Sequence, residues 1–410
     1  MSLPVMLSMG MGVDSSALLA RWLLDPSARD FDLDDLVVVT AMTGDEYART
    51  GELMQQYMLP LMAAQGVRYV QLARAGQSDD CGYEVLSDSR RTSRMVMQGS
   101  RWRLRDEQQA NGVVPQVASG RRWCSYRAKG QVLDWWVADE FAGGEYRHVV
   151  GFAAEEVKRS VRDTSYTSAA RHPWYPLIEW GWDRESCLAY LRDTFGVAWS
   201  RSCCGYCPFQ AGREMELLCE RWRRDPAAAA LALQLEVTAV AINPRSLLFN
   251  SRSARRVAIH AGLRHLVDQV DAEMAAQPWA VFDVRRAFPA RKLNKDGPSV
   301  PANWDPYAKG KAPRYLQTLA VESCAEARAL LVDQGGRPEG EHGLVRVWKH
   351  RAGPPYPSRE QFLVAAPVGP VDKVGRGFHT VWANAQAAPG AELQPSQDVW
   401  ERLIAVAVGL

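Results

Sequence analysis

Long hydrophobic runs are missing from this chain. No stretch of about 18 or more apolar residues occurs, which excludes an ordinary transmembrane helix. A dominant charge is missing too. Forty-nine Lys and Arg against 47 Asp and Glu leave a net charge of +2, so any argument for nucleic acid or a membrane surface has to be local. The first residues have no basic n-region, and glycines break their apolar run within ten residues. No signal peptide is expected, and the expected location is cytoplasmic. In that compartment the eight cysteines read as thiols or metal ligands rather than disulfides. No Gly-Lys-Ser or Gly-Lys-Thr follows a glycine-rich turn, which excludes a Walker A loop. What is present is ordinary in bulk. An apolar fraction of 47% is ample for a core, and 410 residues suggest two or three domains.

The most informative segment comes first. Val5-Met6-Leu7-Ser8 is a short buried-strand pattern. Met9-Gly10-Met11-Gly12-Val13-Asp14-Ser15-Ser16 is a glycine-rich turn, and Ala17 to Leu24 reads as a helix. Strand, tight loop and helix in that order aim backbone N–H groups and a helix N-terminus at one point, which suits a phosphate. Gly10 and Gly12 allow close backbone approach. Asp14, Ser15 and Ser16 can cap the helix or offer oxygens to phosphate or Mg²⁺. The plain alternative is a tight turn capped by Asp14 or Ser15.

Strand and helix patterns then alternate. Residues 35–42 form a continuous apolar run ending at Thr43-Gly44-Asp45-Glu46. A helix is expected over 50–65, a strand over 67–72, a polar and basic stretch over 76–120, a helix over 129–141 and a strand over 146–151. This alternation predicts an α/β domain, a doubly wound parallel sheet covered on both faces. Ligands of such sheets bind at the carboxyl ends of strands, where segments 8–16, 42–46 and 151–156 all fall.

Four cysteines stand out. Cys124 sits beside Arg121, Arg122 and Arg127, which would favour a thiolate. Cys203, Cys204 and Cys207 sit in Ser-Cys-Cys-Gly-Tyr-Cys-Pro, residues 202–208. A C-x-x-C turn places two thiolates on one metal or cluster, and a proline after the last cysteine fits simple ferredoxins. Zinc and an iron–sulfur cluster both fit this pattern. Cys187 reads as core; Cys81, Cys219 and Cys324 are isolated.

Residues 10–15 resemble the pyrophosphate loop of the PP-loop ATP pyrophosphatases, with Gly10 in place of a serine and Met11 in place of a glycine. Thr43-Gly44-Asp45-Glu46 is similar to the Thr-Gly turn of phosphoadenosine phosphosulfate reductases and their relatives. Gly151-Phe152 through Glu155, Glu156 and Arg159 is similar to their Gly-Ile-x-x-Asp/Glu-Glu-x-x-Arg segment. Pro176-Leu177 through Trp180, with Asp183 opening a helix, is similar to their Pro-Leu-x-x-Trp block. The resemblance implies ATP phosphates near Ser8 and Gly10 to Ser16, adenine near Met42, Thr43 and Gly44, and further nucleotide contacts at Gly151, Phe152 and Glu156. It implies Mg²⁺ beside Asp14, and Lys129 or Arg159 stabilising charge. Plain readings stay open: Glu155, Glu156 and Arg159 as a solvated helix start with an ion pair, and Trp174, Trp180 and Trp182 as packing.

The cysteines resemble those of adenylylsulfate reductases and the DNA-phosphorothioation sulfurtransferases, which join a cysteine in a basic block to a C-x-x-C about 80 residues later. That resemblance implies a [4Fe–4S] cluster on Cys124, Cys204 and Cys207, with Cys203 a fourth ligand or a free catalytic thiol. The last cysteine is Cys324, so the tail nucleophile of sulfonucleotide reductases is not found. The implied activity is ATP-dependent sulfur insertion into a nucleic acid or nucleobase-like substrate, with a cysteine desulfurase or other sulfur donor as partner. A sulfonucleotide reductase and an inactive nucleotide- or nucleic-acid-binding protein are the rivals. No membrane partner is expected, and a homodimer stays open.

The expected division is a nucleotide-binding domain over 1–224, a helical segment over 225–280 and an α+β module over 281–410. In the last, residues 285–314 read as a loop with eight Lys/Arg against two acids and interleaved Phe288, Trp304 and Tyr307. That pattern suits single-stranded nucleic acid, or a solvated basic loop. Strands are expected over 344–348, 361–365 and 378–382, a helix over 325–333, and a linker over 385–397 before a last helix.

Overall fold

Continuous apolar runs without alternation build the first sheet. In the computed structural model, which describes residues 3–115, 117–118, 121–165, 168–210 and 215–387, these runs become strands buried on both faces. They are β1 (Val5–Ser8), β2 (Leu36–Met42) and β3 (Arg68–Arg74); β4 (Tyr83–Ser89) is half exposed. A two-strand ribbon follows, β5 (Val117–Ala118) and β6 (Arg121–Arg122), and then β7 (Tyr146–Val150) and β8 (Arg171–Trp174). The six-stranded sheet runs β4-β3-β2-β1-β7-β8. All its pairs are parallel except β3 with β4. The chain is therefore a mixed α/β protein with a largely parallel sheet.

Side-chain alternation explains why both faces are covered. Val5, Leu7, Leu36 and Val38 meet the Val13–Leu24 and Arg184–Phe195 helices on one face. Met6, Val37, Val39 and Val70 meet Val132 and Trp136 of the Gln131–Phe141 helix on the other. Order reverses at β1, with β2 on one side and β7 on the other. A crevice at the carboxyl end of β1 is the expected result.

The chain divides into two compact units. One comprises Met1–Glu107 and Pro115–Phe209, the other Gln108–Val114 and Gln210–Leu410. Residues 210–224, read from sequence with the first domain, belong by their contacts to the second. That unit carries an antiparallel sheet in the order β13-β14-β15-β9-β12-β16. Its strands are β9 (Trp279–Phe288), β12 (Arg314–Glu322), β13 (Arg337–Glu339), β14 (Leu344–His350), β15 (Ser358–Pro367) and β16 (Lys373–Val374). A separate hairpin pairs β10 (Ala290–Lys292) with β11 (Trp304–Lys309). No single helix among the described residues is long and apolar enough to cross a membrane.

Several expectations are corrected here. The helix expected over 50–65 is broken by a π turn, Met54–Met58. The stretch 76–120 holds strand β4 and the Leu104–Asn111 helix. The strand expected over 378–382 is the start of the Phe378–Ala387 helix. Phe378 and Trp382 stack at the i, i+4 spacing of a helix, 5.3 Å between ring centroids. The basic loop expected from 285 begins as the central strand β9. There Arg285 pairs with Asp283, and Arg286 pairs with Glu360. Residues 388–397 of the expected linker, and the last helix, lie outside the described residues.

Candidate functional site

The β1-to-helix turn keeps its shape at a cost. Met11 stands at φ +58°, a left-handed conformation that favours glycine and costs roughly 1–2 kcal/mol for another residue. Its side chain is fully buried in the core beneath, which offsets the strain. Its carbonyl accepts a 3.4 Å hydrogen bond from Trp199 Nε1. Gly12 is the N-cap, and no side chain caps the Val13–Leu24 helix. The capping expected of Asp14 or Ser15 is not made; Ser15 Oγ accepts from Gly10 N instead, at 3.3 Å. The first-turn N–H groups are thus free of a side-chain cap, the condition for an anion site.

Acidic groups crowd the same place. Asp14 Oδ2 accepts from Arg184 at 3.3 Å, while Oδ1 is buried without a hydrogen-bond partner. Burial pushes the Asp14 carboxyl up; Arg184 opposes this, and Glu156 and Glu155 add to it. Glu156 pairs with Arg159 through one oxygen and leaves Oε2 buried and unpartnered. Ser16 Oγ is likewise buried and unpartnered. Gly151 sits where a Cβ would lie 3.0 Å from Ser15 N and Cα, so the end of β7 touches the helix start backbone to backbone. Phe152 is a packing residue, stacked on Tyr175 at 5.6 Å. Arg159 lies over the Phe152 ring and is 61% exposed.

Ser8 takes part in a buried relay. Its hydroxyl lies 2.7 Å from His148 Nε2, and Arg171 Nε donates to His148 Nδ1 at 2.7 Å. Burial and Arg171 push His148 down to about 3, so the ring is neutral. With Nδ1 accepting, Nε2 carries the proton and donates to Ser8 Oγ. The arrangement is the reverse of one that would activate a serine nucleophile.

The cysteine loop adjoins the end of β2. Tyr47 N donates to Cys203 O at 2.9 Å, and Gly205 N donates to Asp45 O at 3.0 Å. Cys204 Sγ is 3.8 Å from Thr43 Oγ1. Tyr206, fully buried, donates to Asp45 Oδ2 at 2.9 Å; Arg105 N donates to the same carboxylate. Ser202 Cβ would lie 3.3 Å from a Cβ on Gly12, which ties this loop to the glycine turn. Cys207 feels the charge of Cys203 and Cys124, and Cys204 that of Cys207 and Glu46. Cys203, Cys204 and Cys207 share one loop beside the end of β2, and Cys124 is near enough to Cys207 to act on it. Burial raises all three resolved thiols: Cys204 well above its ordinary value, Cys207 to about 11, and Cys124 upward. At Cys124 burial raises the thiol while Arg122 and Lys129 lower it. Arg127 is engaged with Glu107 and Asp79.

Lys129, carried on a π turn (Tyr126–Gly130), lies 3.7 Å from Glu46 Oε1 and acts on both Cys204 and Cys124. Glu46 accepts from Thr43 N at 2.7 Å and Gly44 N at 3.0 Å. Thr43 O accepts from Leu104 N, and Gly44 O from Arg105. The turn implied for adenine thus has these four backbone groups already bonded, and Met42 lies within β2.

No family model matches this chain. No curated protein and no solved structure matches it either. The site rests on its own geometry.

Sequence reasoning missed Glu46, Asp45, Arg105, Tyr206 and the His148–Arg171 pair as site elements. The only local signal was their closeness in sequence to the glycine turns and cysteines. The readings of Asp183 as an N-cap and of the tryptophans as packing agree with the structure. Asp183 accepts from Ser186 N, and Trp174 stacks on Trp22. Trp180 and Trp182 hold Arg21 at 4.2 and 4.6 Å. Cys187 is fully buried, as a core residue should be.

Proposed function

We propose that this chain is an ATP-dependent sulfur-inserting enzyme, a PP-loop pyrophosphatase on a doubly wound α/β sheet, with a nucleic acid or nucleobase-like substrate. One observation carries the reading. Two buried carboxylate oxygens without partners, Asp14 Oδ1 and Glu156 Oε2, flank an uncapped helix start beside the cysteine loop. Buried polar atoms are ordinarily paired, so orphans of this kind point to a missing ligand.

Gly10 and Gly12 let the phosphates approach the backbone, and the helix start donates to them. Asp14 and Glu156 would hold Mg²⁺, which when bound neutralises phosphate charge. An oxygen of the substrate attacks the α-phosphorus, the bond to the bridging oxygen breaks, and pyrophosphate leaves. A sulfur nucleophile from a donor then forms the C–S bond as the C–O bond to AMP breaks. Cys124, Cys203, Cys204 and Cys207 would hold an iron–sulfur cluster, which supplies a binding place for sulfur. Lys129 sets the local charge between Glu46 and these thiols.

Zinc fits the same ligand types, and the iron assay below separates it from the cluster. Exposed aromatic side chains at Trp123 and Tyr126, 40% and 37% exposed and edge-to-face beside Cys124, favour a base as substrate.

A second reading, nucleotide binding without turnover, is favoured by Gly10 and Met11, which stand where the PP-loop pattern has serine and glycine, Met11 at φ +58°. Anaerobic purification with iron and acid-labile sulfide assays, on wild type and Cys204→Ala, is the first test. About four irons per chain, lost in the variant, is the expected result. Pyrophosphate and AMP release should then accompany thiolation of RNA, DNA or a free base. A colourless, iron-free protein overturns the cluster. ATP binding without pyrophosphate release on every substrate selects the second reading, and sulfite release from a sulfonucleotide selects a reductase.

A further inference from the structure

A second group of metal-capable side chains lies in the other unit, in a part of the chain that the proposed reaction does not use. Glu216 and Cys219 stand three residues apart on the Met215–Arg224 helix, so they share one face. His260 is the last residue of the Ala254–His260 helix. One ligand atom from each of the three lies within 4.8 Å of the other two, the only such trio among the described residues. His260 Nε2 is 3.2 Å from Glu216 Oε1.

This meeting is held from outside the trio. Arg223, on the Met215–Arg224 helix, donates through Nε to Ala261 O at 2.9 Å, one residue beyond His260. Trp222 is fully buried and packs against Phe249, which seats the same helix. The two backbones that carry the ligands are therefore fixed whether or not the Glu216–His260 contact forms. Cys219 is fully buried at the floor, while Glu216 and His260 are 73% and 63% exposed at the rim. A metal can enter from solvent and keep one face open.

We infer that Glu216, Cys219 and His260 form a Zn²⁺ site with three protein ligands and a fourth position for water or an exogenous ligand. The donor set selects the ion. Mg²⁺ and Ca²⁺ take oxygens almost exclusively, whereas one thiolate, one imidazole and one carboxylate suit zinc. Zinc adds ligand bonds to the Arg223–Ala261 tie between the two helices. On binding, the Cys219 proton passes to solvent and a Zn–S bond forms; no oxidation is involved.

The test is a Co²⁺ titration, followed by zinc competition, of the full-length, metal-stripped protein carrying Cys203→Ser, Cys204→Ser and Cys207→Ser, so that the thiols of the proposed cluster take no cobalt; Cys219→Ser and His260→Ala are added singly to this background. The expected result is one equivalent of Co²⁺ per chain with a thiolate-to-cobalt charge-transfer band. Adding Cys219→Ser abolishes the band. With His260→Ala, an exposed position that tolerates substitution, affinity falls about 100-fold, and zinc no longer raises the thermal midpoint. Equal Co²⁺ stoichiometry, spectrum and zinc stabilisation with and without His260→Ala would overturn the site. So would absence of the band in the background protein. Neither outcome bears on ATP turnover, so failure here and failure of the proposed function are separable.

Discussion

The two units differ in how fully they pair their buried carboxylates: the first pairs Asp45 with Arg105 and Tyr206 but leaves two others half-partnered. In the second, buried carboxylates are paired. Glu236, fully buried, accepts from Leu248 N and from Ala254 N, and His342 lies 3.2 Å away. Asp283, also fully buried, accepts from Gln361 and Arg285. In the first unit Asp14 and Glu156 each keep one buried oxygen without a partner. Paired burial is a fastening, and removing it should cost stability. Under the proposed function, the unpaired oxygens of Asp14 and Glu156 serve ligand binding, so removing them should cost function while leaving the fold.

The largest expected effect tests the fastening. Glu236→Ala leaves the Leu248 and Ala254 N–H groups without acceptors and starves the start of the Ala254–His260 helix. It should lower the unfolding free energy by about 3–5 kcal/mol, read from the denaturant midpoint. A loss under about 1 kcal/mol would break the comparison from that side.

Asp14→Asn tests the other side of the comparison. Pyrophosphate release should fall by about 100-fold or more, while stability changes by less than about 1 kcal/mol. Severe destabilisation with activity retained per folded molecule would make Asp14 a fastening too.

The third effect is a slope, small per pH unit. His148 is neutral when folded and held near 3, against an ordinary value of 6.5. The unfolded chain therefore binds the extra proton between these values. Stability is fully present above about 6.5 and is lost as pH falls toward 3, by up to about 1.4 kcal/mol per pH unit from this group. Arg171 and Asp163 are the charged neighbours that act on it. His148→Gln should flatten that part of the stability profile. An unchanged slope would mean that His148 is protonated in the folded protein.

How much was legible follows from where the forces act. The β1 turn and the apolar runs of β2 and β3 could be read directly, because strand and turn chemistry are local. The Phe378–Ala387 helix was misread because Phe-His-Thr-Val-Trp fits both periods. Its decision came from stacking on Tyr315 and Trp382. Arg285 and Arg286 looked like a phosphate-binding loop because Glu360 pairs with Arg286 only once β9 and β15 lie side by side, and Asp283 reaches Arg285 two residues on only because both lie on one strand. The arginines beside Cys124 are visible in sequence, and its burial, which opposes them, is not.

The sequence by itself determined the strand–glycine turn–helix start, the strand runs that make a parallel sheet, and the C-x-x-C that brings two thiols to one turn. Each depends on residues within a few positions of one another. The tertiary structure alone decided which polar groups stay unpartnered. It set Glu46 on the donors of Thr43 and Gly44, hung the cysteine loop from Asp45 through Tyr206, and brought His260 to Glu216 and Cys219. Those outcomes depend on burial and on partners up to about 160 residues away, and a local pattern carries neither.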